Sequence, residues 1–238
     1  EPAFLRDLDQ AWGRPSARVR LSFLPGVEAP SAPGHEDALM SYERGGLGVL
    51  VARGRTSVYE GEAARSATAL ARIASGARLR AALLVTRATP LRGSGDVAGG
   101  SAPGQVRVVA DHLNLSGGSL FPAPGMVSAG WDATLTERLG SLRGVSGSSV
   151  VALVPGPLRP SPAESRALTS LGADAAVTDS VAEAMVLASR GVAVSALTYL
   201  DAPAAGGNLG RAQLSLRQAS GVTLAAVEEI LRSLRAGS

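Results

Sequence analysis

Short apolar runs recur along the chain at the length of buried strands: RVRLSFL at 18–24, LGVLVAR at 47–53, AALLVT at 81–86, VRVVADHL at 106–113, SVVALV at 149–154, residues 174–178, and VAVSALTY at 192–199. Between them, apolar positions at helical spacing predict helices over 62–75, 132–143, 162–171, 181–190 and 223–235. Two of these helices carry start signals. In SPAE, Ser161 stands at the cap, Pro162 at the first helical position and Glu164 in the place that closes a capping box, and SVAE repeats the box with Ser180 and Glu183. Gly76, Gly172 and Gly191 follow helical runs as stops. Apolar strands alternating with amphipathic helices predict a single three-layer α/β/α domain over residues 1–238, with a central mixed, largely parallel sheet.

The strand at 47–53 runs into GRTSVYEG, residues 54–61, which places Arg55 where a strand tip opens into a loop. Strand tips are where α/β proteins bind their ligands, although an ordinary strand end with Arg55 paired to Glu60 fits the same residues. The segment RGSGDVAGG at 92–100 has the glycines to cradle a phosphate on backbone N–H groups. It matches neither the Walker spacing nor the dinucleotide fingerprint, which favours a flexible loop within 88–105.

Composition narrows the chemistry. A chain of 238 residues with 45% hydrophobic content buries a full core. The sequence pI near 10.1 comes with a formal charge of only +3, because every basic residue is arginine, whose high pKa lets a small excess move the pI far. The arginines are scattered among acids without interleaved aromatics, which argues against a nucleic-acid partner. With no cysteine, thiolate metal sites and cysteine nucleophiles are excluded, and the two histidines, His35 and His112, fit no metal spacing. No GxSxG elbow is present for serine hydrolysis. No apolar stretch reaches the roughly 18–20 residues that span a bilayer, and the amino terminus lacks the pattern of a signal peptide, so the expected location is cytoplasmic, without a membrane partner.

Read in order, PGH at 33–35, GRTSVYEG at 54–61, ADHLNLSG at 110–117 and the run from Gly156 to Leu200 form a series. It resembles the trimeric purine nucleoside phosphorylase and methylthioadenosine phosphorylase family from about residue 18 to the end. The stretch 156–191 is the most specific part, with its GP dipeptide, PAE helix start, LGAD turn and VxE helix start. The resemblance implies a nucleoside phosphorylase-like fold, a homotrimer and a pentosyl transfer in which phosphate attacks the anomeric carbon of a purine nucleoside to give free base and ribose 1-phosphate. No cofactor is implied, phosphate being the co-substrate. By residue matching, Arg55 and His35 fall on phosphate-binding motifs, with Ser57 where the family usually has a second histidine. Tyr59 falls on a ribose-packing tyrosine, and Thr178 and Asp179 on positions that contact ribose and phosphate. His112 matches a strand-end histidine assigned to structure.

Several matches depart from the family. SFLPG stands where a glycine-serine-glycine phosphate loop is expected, and Pro160 where a purine-binding glutamate is expected. At the base end of the last strand an ungapped alignment places Ala202, and a one-residue shift places Asp201. Asp179 directs a carboxylate at the phosphate position, where like charges repel. These departures predict either a remodelled specificity with weak phosphorolysis or a catalytically inactive homologue serving as a binding or assembly subunit.

Overall fold

The computed structural model describes residues 2–57, 64–91, 102–116, 130–156, 159–201 and 209–237, with the side chains of the last segment described from 215 onward. A single 3-10 turn (Pro2–Phe4) leads into α1 (Arg6–Trp12), followed by β1 (Ala17–Val19), β2 (Leu39–Arg44) and β3 (Leu47–Ala52). Then come α2 (Ala64–Ala67), α3 (Ala69–Gly76), β4 (Ala81–Pro90), β5 (Val106–Asn114), α4 (Ala133–Gly140) and β6 (Val145–Leu153). The chain ends with α5 (Pro162–Ser170), β7 (Ala175–Val177), α6 (Val181–Ala188), β8 (Ala193–Leu200) and α7 (Leu209–Ala236). Among the described residues no helix is long and apolar enough to cross a membrane.

The expected mixed sheet is present, but it is not the flat middle layer of a sandwich. Its five strands close on themselves in the order β4-β7-β6-β5-β8. β4 pairs with β8 in parallel over Ala81–Ala88 and then turns its last two residues, Thr89 and Pro90, antiparallel onto β7. β5 does the converse, antiparallel to β8 at Val106–Val108 and parallel to β6 beyond, with register shifts at both ends of Val108–Val109. Long strands that change partner part-way, with irregular register at the change, bend a sheet until its edges meet. Helices still cover the sheet on more than one side. α3 and α6 pack with Val109, Val151, Val177 and Val194, whereas α4 and α7 pack with Val106, Val108, Leu197 and Tyr199.

A separate three-stranded antiparallel sheet, β1-β2-β3, adds to this body. β2 and β3 form a hairpin through Gly45 and Gly46, whose φ values of 57° and 78° suit a two-residue turn that glycine adopts without steric cost. The run 18–24, expected as one strand, is strand only at Ala17–Val19 and then winds into a 3-10 turn at Leu21–Phe23. Arg53, at the end of β3, is buried and tied by its guanidinium to Asp9 of α1 and to Glu36, both at 2.8 Å. Gly54 follows at a point where a Cβ would lie 2.6 Å from the Glu36 carbonyl oxygen, so only glycine fits. This clamp fixes the direction in which the next residue, Arg55, enters the body of the molecule.

Candidate active site

The carboxyl-terminal ends of β3, β6, β7 and β8 and the second half of β4 open onto one cavity of about 420 Å³. Parallel strands gather side chains at these ends because the chain leaves each strand there, and the cavity lining includes His35, Arg55, Thr178, Asp179 and Asp201. Pro160 lines it as well. Ser57 does not: it is buried outside the lining. Tyr59, the glycine-rich segment 92–100 and Ala202 lie outside the described residues. The bulky residues of SFLPG stay out of the cavity, Phe23 being 75% exposed and Leu24 packing with Leu21, Val27 and Ala69. The Ser22 amide and hydroxyl of that segment donate to the Asp37 carboxylate at 2.9 and 2.6 Å, which holds the Asp37 carboxyl below its ordinary range.

Arg55 enters this cavity already engaged. Its Nη1 donates to Glu183 Oε2 at 2.8 Å and lies 3.4 Å from Asp179 Oδ1, while Nη2 donates to the Val85 carbonyl at 2.5 Å. The side chains of Arg55 and Glu183 are only 14% and 11% exposed, so this is a largely desolvated pair rather than a surface contact. One guanidinium thus serves two carboxylates. Burial pushes the Glu183 carboxyl above its ordinary value and the nearby Asp179 adds to the rise, against the opposing charge of Arg55. Asp179 is fixed in turn by the Thr86 hydroxyl, which donates to Oδ1.

Glu183 does more than the sequence pattern assigns to it. SVAE reads as a second capping box, but only half of it forms: the Ser180 amide donates to the Glu183 carboxylate, whereas the Ser180 side chain caps nothing. Its φ is 67° and its hydroxyl donates to the Asp179 carbonyl at 2.6 Å. The Glu183 side chain also reaches inward to Arg55, 128 residues away, while Glu60, the partner that the local sequence offers, lies outside the described residues. SPAE, by contrast, is a true capping box with both reciprocal bonds formed.

His35 is held against the backbone of Arg55, its Nδ1 lying 3.0 Å from the carbonyl oxygen and 3.4 Å from the amide nitrogen. Burial lowers its pKa, so the ring is neutral near pH 7. His112 stands apart at the end of β5, where Nδ1 accepts from Trp131 Nε1 at 3.1 Å and the two rings meet edge to face. That bond needs an unprotonated Nδ1, in keeping with the lowering of its pKa by burial.

At the other end of the cavity stand two arginines that the sequence reading passed over. Asp201 Oδ1 lies 3.4 Å from Arg87 Nη1, and its Oδ2 accepts from Arg159 at 3.2 Å. Arg87 also lies over the rings of Phe4 and Tyr199 at 5.6 and 5.8 Å. The Asp201 amide donates to the Ala88 carbonyl at 2.8 Å, which fixes this carboxylate at the junction of β8 and β4. Arg159 stands in the stretch 156–191 that carries the family resemblance and Arg87 at the end of the apolar run 81–86, and cationic residues at strand ends were the available signal.

No protein-family model matches the chain. Comparison with curated proteins finds purine nucleoside phosphorylase of Mycobacterium tuberculosis at 32% identity over 220 residues, covering 90% of this chain and 79% of that protein. The Mycobacterium leprae purine nucleoside phosphorylase is 34% identical over 187 residues, covering 77% of this chain and 67% of that protein. The chain belongs to the purine nucleoside phosphorylase family. Among solved structures, Schistosoma mansoni purine nucleoside phosphorylase in complex with adenosine superposes with a TM-score of 0.75 at 18% identity, over 96% of this chain and 87% of that one. The inosine complex of the same protein gives 0.72 at 19% identity, over 91% of this chain and 84% of that one. At that identity the solved structures establish the fold alone, a nucleoside phosphorylase-like one.

Proposed function

We propose that the protein binds a purine nucleoside in the 420 Å³ cavity and breaks its N-glycosidic bond, with phosphate a poor co-substrate. Membership of the family supports the substrate class. The observation that carries the second half is the engagement of Arg55 by Glu183, Asp179 and the Val85 carbonyl. A phosphate approaching this guanidinium meets two carboxylates at contact distance from it, and charges of one sign in a desolvated site repel by several kcal/mol. Catalysis by phosphorolysis needs donors aimed at phosphate before the reaction begins, and removing one such donor commonly lowers the rate ~10²- to 10³-fold. The base-side position that holds Pro160 has no side-chain group to meet the purine. The resemblance also supports a homotrimer and a cytoplasmic location as parts of the same reading.

The test is phosphate-dependent release of free base from inosine, guanosine, adenosine and methylthioadenosine, run beside calorimetric titration of each nucleoside. Binding with phosphorolytic turnover far below a typical enzyme value of about 10 per second is the expected result. Turnover near that value on any of the four overturns the reading of a remodelled site, and failure of all four to bind overturns the substrate class. The inactive-subunit alternative, favoured by the same occupied arginine, predicts binding with no release under any condition.

A further inference from the structure

Resting on that nucleoside-binding reading, the geometry points to water rather than phosphate as the attacking group, with Asp179 as its general base. The two ends of the cavity carry opposite charge patterns. At the end lined by the segments that follow β3 and β7, the single guanidinium of Arg55 lies between the carboxylates of Asp179 and Glu183. At the end where β8 and β4 meet, the single carboxylate of Asp201 lies between the guanidinium groups of Arg87 and Arg159. The first end repels an anionic nucleophile, and a neutral one carries no such penalty. The second end offers cationic donors to a departing anion.

Asp179 is placed for the role. It lines the cavity with its side chain 18% exposed, so a water reaches it without entering the core. The Thr86 hydroxyl and Arg55 Nη1 both approach Oδ1, so among the described residues Oδ2 carries no hydrogen bond. A carboxylate oriented through one oxygen presents the other to a substrate or a water. Thr86 and Arg55 are therefore positioning residues for Asp179.

The step balances without a further reactant. As the C1′–N9 bond breaks, its electron pair leaves with the purine, whose developing negative charge lies toward Arg87 and Arg159. The oxygen of water forms the new bond to C1′, and its proton passes to Asp179 Oδ2. The purine takes up a proton from solvent, Asp179 returns its own to solvent, and the products are free base and ribose. The transition state has oxocarbenium character, so the attacking oxygen needs little nucleophilic strength and a carboxylate is base enough.

The experiment follows base release from inosine, guanosine and adenosine by the full chain in phosphate-free buffer and again with inorganic phosphate added, identifying the sugar product by mass. Free ribose formed at equal rates in both buffers is expected. D179N should lower that rate about 100-fold or more, the lower end of general-base contributions, with nucleoside affinity by calorimetry changed only a few-fold. D179S should likewise lose ribose release. Ribose 1-phosphate formed only when phosphate is present overturns the inference and leaves the nucleoside-binding reading standing, as does binding without release in either buffer. Unchanged ribose release by a folded D179N removes Asp179 from the role. Absence of nucleoside binding removes the reading beneath it instead, and the wild-type product decides between ribose and ribose 1-phosphate even where a variant does not fold.

Discussion

The chain writes the same helix-start pattern twice, at Ser161–Glu164 and at Ser180–Glu183, and completes it only at the first. At the first, the Ser161 hydroxyl accepts from the Glu164 amide and the Glu164 carboxylate accepts from the Ser161 amide, all in contact with solvent. At the second, Ser180 is buried in a positive-φ conformation and Glu183 lies on Arg55 inside the molecule. The pattern states what a helix end can do by itself. A buried arginine 128 residues from Glu183 decides which of the two does something else. An unpaired guanidinium in the interior costs far more than one lost capping bond, so the charge takes the glutamate.

The sharpest way to break this comparison is to remove each glutamate. Glu183→Ala leaves Arg55 without its closest carboxylate in a desolvated site and should cost about 3 kcal/mol of stability, at the low end for breaking a buried ion pair because Asp179 and the Val85 carbonyl remain. Glu164→Ala should produce a much smaller loss. Urea titration of the two variants measures both, and equal losses would show that Glu183 is only a cap.

Substituting the serines separates the two ends by sign. Ser180→Gly relieves a non-glycine residue at φ 67° and should stabilise by about 1 kcal/mol, whereas Ser161→Ala should destabilise by about 1 kcal/mol through loss of the cap. Thermal melts of both variants decide the matter, and a destabilised Ser180→Gly would mean that the hydroxyl bond to the Asp179 carbonyl outweighs the backbone strain.

The smallest and most specific effect is in pH dependence. The hydrogen bonds to Ser161 hold the Glu164 carboxyl below its ordinary value, so its contribution is present above that value and is lost as pH falls through the lowered one. Burial holds Glu183 above its ordinary value, so its contribution is present at low pH and is lost as pH rises through the raised one. Urea midpoints against pH should therefore differ from wild type on the acid side for E164Q and on the side above the ordinary carboxylate range for E183Q. Two parallel curves would remove the distinction.

Much of the fold was legible because it rests on local pattern. Six of the seven apolar runs map onto strands, the seventh, 18–24, doing so only at its start, and the helix begun by Pro162 starts where its cap says. What escaped was decided by contacts distant in sequence. β2 carries Met40, Tyr42, Glu43 and Arg44 in a mixture that matches no simple alternation, and only the Gly45-Gly46 turn marks it. α7 begins 14 residues before the expected 223, running through Gly221, which interrupts a helical pattern in isolation. In the fold Gly221 lies where a Cβ would be 3.3 Å from Asp7 Oδ2, so the small residue serves the approach of α1. Closure of the sheet is likewise a property of strand partners, which single-strand patterns do not encode.

The site was legible to the same extent. Arg55, His35, Thr178, Asp179 and Asp201 reach one cavity from positions spread over more than 160 residues, as the motif series suggests. The grip of Glu183 on Arg55 and the pairing of Arg87 and Arg159 with Asp201 were not, because each joins residues from different elements whose adjacency appears only in three dimensions.

Closure of the five-stranded sheet also settles where strand-to-strand association can begin. A ring of paired strands offers no unpaired backbone row for another chain to extend, whereas among the described residues the three-stranded sheet ends in two such rows, β1 and β3. β1 is three residues long and carries Arg18, a short and charged edge that discourages addition. β3 is twice that length, holds no charge over Leu47–Ala52 and exposes Leu50 to 47%. Under conditions that loosen the molecule, β3 is the edge at which aggregation by strand addition starts, and a lysine in place of Leu50 is the natural gatekeeper against it.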